Sequence, residues 1–151
     1  MRIYLNTSAF NRPFDDLSQP RTRIEAEAVA MLLSLVEAGR IELVGSEYVV
    51  FEASQNPDPD RARKVLCLVA LAHAVVKLSP PVTRRARTLE RFGLRGLDAL
   101  HVAAAEAGRA GLLVTTDDRM IRRCLRAGTQ LAIRVVLPQQ ALAELVGEER
   151  E

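Results

Sequence analysis

The chain has 151 residues, 48% of them hydrophobic, with 21 basic against 19 acidic side chains and a net charge of +2. That length predicts one domain with a real buried core, and a bulk charge so near neutral names no partner by itself. The lack of tryptophan and an aromatic content of only 4% argue against a single-strand binder built on base stacking.

Arg2 to Leu5 reads as a short strand, with Ile3 and Leu5 alternating against Arg2 and Tyr4. Asn6-Thr7-Ser8 follows as a strand-end turn with capping side chains, and Asn11 to Asp16, holding Pro13, reads as loop. From Arg21 to Ala38, Ile24, Ala28, Met31, Leu32 and Leu35 recur at helical spacing, and Gly39 ends the helix. Ile41 to Val44 is a second strand, and Ser46 caps the helix that carries Tyr48, Val49, Phe51 and Glu52.

Asn56-Pro57-Asp58-Pro59-Asp60 is a break followed by a helix to about Ala72, with acids in its first turn. Ala74 to Leu78 reads as strand, and Val82 to Arg91 as a basic helix. Leu97 to Ala107 is an alanine-rich helix ended by Gly108. Leu112 to Thr115 is a strand, Asp117-Asp118 opens the helix of Met120 to Arg126, Ile133 to Val136 is the last strand, and Pro138 starts a C-terminal helix. Strands alternating with helices imply a three-layer α/β/α sandwich with a mainly parallel sheet. The domain is expected over residues 1–147, with a charged tail at 148–151.

Ligands in such sheets bind beyond the carboxyl ends of the strands. Asn6 and Asp117 sit just after predicted strands, Asp98 begins a helix, and Glu52 lies in the helix after a strand. Glu52, Asp98 and Asp117, with Asp118 as a weaker member, read as an acidic site for Mg²⁺ or Mn²⁺, hard cations that prefer oxygen. Each has a plainer reading: Asp98 and Asp117 as helix caps, Glu52 as a solvated helix residue, Asn6 as a turn residue. Ser8 and Thr115 are caps, or hydroxyls that orient a carboxylate or water. His101, three residues after Asp98, reads as a satisfied, partly buried histidine, with a ligand or proton-relay role as the less favoured alternative, and His73 as structural. Cys67 and Cys124, far apart in helical patterns, read as reduced core thiols rather than a disulfide or zinc pair.

These segments together resemble the PIN domain family, the fold of VapC-type toxins from toxin–antitoxin pairs. Ile3-Tyr4-Leu5-Asn6-Thr7-Ser8-Ala9-Phe10 looks like its opening strand, with Asn6 where the family carries Asp; Ser46 to Glu52 is similar to its glutamate segment. Leu97-Asp98-Ala99-Leu100-His101 resembles its third acidic motif, and Val114-Thr115-Thr116-Asp117 its final strand and acid. The resemblance implies metal-dependent RNA cleavage, a homodimer and a small antitoxin protein as partner.

The expectation is therefore a ribonuclease in which Asn6, Glu52, Asp98 and Asp117 form the centre and Ser8, Thr115 and Arg12 support it. Hydrolysis by activated water would leave 5′-phosphate and 3′-hydroxyl ends. Arg85, in a basic stretch, and Arg122, sharing a helix face with Arg119, Arg123 and Arg126, are candidate RNA contacts, although such runs are usually solvated faces. An amide at position 6 brings no charge and bridges cations poorly, so the alternative is a catalytically impaired module that binds RNA or protein. A metal-dependent phosphatase or DNA flap nuclease is a second rival. The absence of a signal-peptide pattern and of an apolar run long enough to span a bilayer predicts a cytoplasmic protein with no membrane partner.

Overall fold

The computed structural model describes the backbone of residues 1–150 and the side chains of residues 1–147. The charged tail expected at 148–151 lies outside the described side chains. The elements follow in chain order as β1 (Arg2–Leu5), α1 (Thr7–Asn11), a 3₁₀ turn at Arg12–Phe14, α2 (Pro20–Glu37), β2 (Glu42–Ser46), α3 (Glu47–Ser54), α4 (Pro59–Val69) and β3 (Ala74–Val76). They continue as α5 (Pro80–Glu90), α6 (Gly96–Ala107), β4 (Leu112–Val114), α7 (Asp118–Ala127), β5 (Arg134–Val136) and α8 (Pro138–Arg150).

All strand pairs are parallel, in the order β3-β2-β1-β4-β5. The crossovers from β1 to β2 to β3 run one way across the sheet and those from β3 to β4 to β5 run back. Right-handed crossovers then put α2 to α4 on one face and α5 to α7 on the other. The packing agrees: α5 lies on α6, and α8 returns against α2. This is the expected α/β/α sandwich.

Coverage of both faces changes how β1 is used. An alternating strand would leave Tyr4 outside, yet Ile3, Tyr4 and Leu5 are all fully buried, as are Leu113 and Val114 in β4. Central parallel strands bury both faces and lose the alternation. Tyr4 tolerates this because its hydroxyl finds polar partners within the core.

Helix α2 is also rotated from its expected face. Ile24 and Met31 point outward, while Val29, Leu32, Leu33 and Val36 face the core, and Glu25 is buried with them. That rotation brings Glu25 to 3.5 Å from Arg12 and 3.6 Å from Arg21. Burial raises the Glu25 carboxyl above its ordinary value, and the two guanidinium groups partly offset it.

Several local signals act as read. Ser46 caps α3 by accepting from the Val49 N–H at 3.0 Å, and Gly39 takes φ +74° after α2. Asn6 caps a short helix α1 that reaches Asn11, and within the segment read as loop from Asn11 to Asp16, Arg12–Phe14 form the 3₁₀ turn. Gly108 is needed for close approach: a Cβ there would lie 2.4 Å from Val44 Cγ1. Cys124 is buried as expected, but Cys67 is exposed on α4, and both are free thiols. His73 ties β2 to the chain before β3, donating its N–H to the Leu43 carbonyl and accepting the Leu43 N–H at Nδ1. No described helix is long and apolar enough to cross a membrane.

Candidate active site

The sheet reverses direction beside β1, and its central pair β1–β4 ends with Leu5 opposite Val114. The next residues, Asn6 and Thr115, therefore meet at the topological switch point, where open α/β sheets place ligands. The Asn6 N–H continues the ladder to the Val114 carbonyl at 3.1 Å. Its side chain is buried and fully engaged. Oδ1 accepts from the Ala9 N–H at 3.2 Å and the Ser8 hydroxyl at 2.8 Å, and Nδ2 donates to Thr115 Oγ1 at 2.7 Å. Both lone pairs of Oδ1 are thus occupied. Thr115 Oγ1 also accepts the Asp117 N–H at 3.1 Å, so Ser8 and Thr115 link the ends of β1 and β4 into one hydrogen-bonded cap.

Glu52 arrives from α3, half-buried. Its Oε1 accepts from Thr7 Oγ1 at 2.6 Å and His101 Nε2 at 2.8 Å. Behind His101 runs a buried chain: His101 Nδ1 to Tyr4 Oη at 2.8 Å, then Tyr4 Oη to Ser46 Oγ at 2.8 Å. A carboxylate only accepts and the Val49 N–H only donates. With a neutral imidazole the protons therefore point one way, from Ser46 to Tyr4 to His101 to Glu52. Burial pushes the Glu52 carboxyl up, but the hydrogen bonds from His101, Thr7 and Tyr48 outweigh it and hold the group below its ordinary value.

Asp98 is the electrostatic middle of the site. It lies inside the first turn of α6, whose N-cap is Arg95, so the capping reading of Asp98 does not apply. Burial and the neighbouring Asp117 charge raise its carboxyl, against the Arg123 guanidinium at 3.3 Å. Burial, then the Glu52 charge and, more weakly, Asp98 push the Tyr48 phenol up to about 12. Burial and Asp98 push the Cys124 thiol up to about 12. Two side chains from different elements thus feel Asp98.

Asp117 caps α7, with Oδ1 accepting the Arg119 and Met120 N–H groups at 2.9 and 3.3 Å. The other acid of the pair turns away: Asp118 is held by both Arg21 nitrogens, at 2.8 and 2.6 Å. That contact lowers its carboxyl below the ordinary value. Arg12 is engaged by Asp15 at 2.9 Å and by Glu25. Arg85 grips Glu106 with two nitrogens and the Gln130 carbonyl with one. Arg122 stays exposed on α7.

Among the described residues, no group of three or more His, Cys, Asp and Glu side chains is placed to hold a metal ion. The fit is that of an open pair. Asp98 and Asp117 repel one another, which a cation relieves, and both offer the hard oxygen donors that Mg²⁺ and Mn²⁺ prefer. Glu52 on α3 is linked to Asp98 through Tyr48, whose phenol feels both charges. Asn6 could join only by releasing one of its two Oδ1 hydrogen bonds. Thr7, Tyr4 and Tyr48 went unassigned in the sequence reading. Thr7 sits directly after Asn6, but no pattern ties it to a partner 45 residues away.

Residues 3–124 match the family model described as PIN domain. Among solved structures, the chain is similar to VapBC2 from Rickettsia felis bound to a DNA fragment from its promoter, at 20% identity, covering 89% of this chain and 98% of that one, TM-score 0.57. It is similar to VapBC-1 from nontypeable Haemophilus influenzae at 19% identity, covering 92% and 99%, TM-score 0.57. It is also similar to VapC20 of Mycobacterium tuberculosis, a Sarcin-Ricin loop cleaving toxin, at 13% identity, covering 78% and 92%, TM-score 0.56. At these identities the likeness shows the fold. Among curated proteins nothing matches.

Proposed function

The chain belongs to the PIN domain family, and from that premise we propose that it is a metal-dependent endoribonuclease of the VapC toxin type. The observation that carries the reading is the half-buried Asp98 carboxylate, raised by burial and by Asp117 beside it at the carboxyl edge of the sheet. A nuclease needs such charge, because it draws a divalent cation to a place where a phosphate can approach.

Glu52, Asp98 and Asp117 would hold Mg²⁺ or Mn²⁺. Such an ion lowers the pKa of water and neutralises charge on a phosphate. The chain's own residues do the positioning. Thr7 and His101 fix the Glu52 carboxylate and keep it charged. The cap at Asn6, Ser8 and Thr115 keeps the two central strand ends together. Arg123 holds Asp98 charged in a site that disfavours the charge. The chain offers no paired nucleophile and base of the covalent kind in this set, so direct hydrolysis to 5′-phosphate and 3′-hydroxyl ends is the reaction proposed.

The VapBC complexes among the neighbours support a small antitoxin protein as partner, and VapC20 supports a structured RNA as substrate. A homodimer and a cytoplasmic location complete the reading. One observation favours a second reading, a binding module without turnover: the Asn6 amide oxygen is already satisfied twice. The deciding experiment is cleavage of a structured RNA with Mn²⁺ by the chain, by Asn6→Asp and by Asn6→Asp/Asp98→Ala. Cutting by the first two and not the third supports the nuclease. Cutting by Asn6→Asp alone supports a disarmed site, and cutting by none sinks the catalytic reading.

A further inference from the structure

Arg119, Arg122, Arg123 and Arg126 of α7, with Arg95 at the start of α6, line a hollow of about 290 Å³ that has only these five arginines in its wall. The i, i+3, i+4, i+7 spacing keeps the four α7 side chains on one helix face. Among the described residues only Arg123 has an ion-pair partner there, Asp98. Arg95, Arg119, Arg122 and Arg126 have none.

The acids that would neutralise this face are engaged elsewhere. Asp118 stands four residues before Arg122, the spacing of an intrahelical pair. Its two oxygens hydrogen-bond to Arg21 of α2, leaving Arg122 only a weaker through-space attraction to that carboxyl. Asp117 folds back onto its own helix N-terminus. Five guanidinium groups therefore crowd one wall with a single ion-paired carboxylate among them, an arrangement that repels itself until an anion enters.

We propose that this hollow seats backbone phosphates of an RNA strand on one side of the bond at Asp98 and Asp117. The proposal deepens the nuclease reading and rests on it for the identity of the strand. Two features favour a nucleic acid over an acidic protein segment, although guanidinium forks match phosphate and carboxylate oxygens alike. Arg123 joins the hollow directly to Asp98, so a strand lying in the acidic centre continues into it. The wall offers no apolar or aromatic side chain, whereas a protein segment draws its affinity from such anchors and a sugar–phosphate backbone draws it from charge. From Arg119 to Arg126 the helix rises about 10 Å, room for more than one phosphate. Recognition here is blind to sequence, because phosphate contacts position a strand without reading it.

The test measures binding of fluorescent polyuridylate in EDTA across a KCl series, where no cleavage intervenes. Arg119→Gln/Arg126→Gln is compared with Arg84→Gln/Arg87→Gln on α5, which removes the same charge elsewhere; all are exposed, and melting curves confirm that both variants fold. The hollow variant is expected to bind about tenfold or more weakly, with its log–log salt slope shallower by about 1.4, and the α5 variant to keep the wild-type slope. An unchanged slope in the hollow variant, or an equal loss in the α5 variant, overturns the proposal. So does labelled polyglutamate that binds as tightly and depends equally on Arg119 and Arg126, since the hollow would then serve an acidic protein segment. The nuclease reading fails separately: slope loss at the hollow with no cutting by the chain or by Asn6→Asp supports the phosphate seat and removes the catalysis.

Discussion

Replacing His101 by Leu tests the buried chain behind Glu52. Leucine fills similar space but makes no hydrogen bond. Glu52 keeps Thr7 at 2.6 Å and is 26% exposed, so water replaces part of the lost bond; a bond to a charged group is worth about 1.5–3 kcal/mol, and the low end applies. Tyr4 Oη, fully buried, loses its acceptor and turns toward Ser46 at 2.8 Å. One proton stays orphaned wherever it sits, at about 1–2 kcal/mol. The sum is about 3 kcal/mol, which lowers Tm by about 6–12 °C for a domain of this size.

Urea melts of His101→Leu, Tyr4→Phe and the double variant measure the coupling. Tyr4→Phe alone leaves the His101 Nδ1 and the Ser46 proton unpaired, while the double leaves only the Ser46 hydroxyl. The double is therefore expected to cost at least about 1 kcal/mol less than the sum of the singles. Additivity within about 0.5 kcal/mol would refute the idea that Ser46, Tyr4, His101 and Glu52 act as one chain.

Asn6→Asp adds a carboxylate at the end of β1, linked through Thr115 to the Asp117 backbone; isothermal calorimetry should show Mn²⁺ affinity rising about tenfold or more, while the metal-free protein loses about 1–2 kcal/mol of stability, because a further negative charge then sits in a buried position. Equal Mn²⁺ affinity in the two proteins would place the cation elsewhere. Glu52→Gln should remove an acid-dependent part of stability. The folded Glu52 carboxyl sits below its ordinary value of 4.5, so its contribution is complete above that pH and is lost as pH falls through the folded value. The gap between wild type and variant in urea midpoints should accordingly narrow as pH falls from neutral to below the folded value, and a gap constant with pH contradicts it. Gly108→Ala should destabilise by about 1–3 kcal/mol, since the new methyl meets Val44 and Val76 of the sheet rather than open space; a Tm within a degree of wild type would show that α6 can slide away.

Which elements exist, and in what order, was legible from local chemistry. Ser46 announces α3 because a side-chain oxygen before an apolar run satisfies a helix N–H wherever it occurs, and Gly39 ends α2 for an equally local reason. Asp117 and Asp118 mark the start of α7 in the same way. The candidate site residues could be proposed as a set because Asn6, Asp98 and Asp117 stand beside strand ends or helix starts. What each one touches could not.

From sequence alone came the alternation of strands and helices and the caps, since these depend on neighbours within a few residues; that Asn6 stands where a carboxylate is usual came from the resemblance to the PIN family. Only the tertiary structure decided that Tyr4 is buried and joins Ser46 to His101, that Glu25 rather than Ile24 faces the core, and that Arg21 draws Asp118 off its own helix. Those choices rest on contacts such as Thr7 with Glu52 and Arg21 with Asp118, 45 and 97 residues apart. The order of strands across the sheet creates such contacts, and no local periodicity encodes that order.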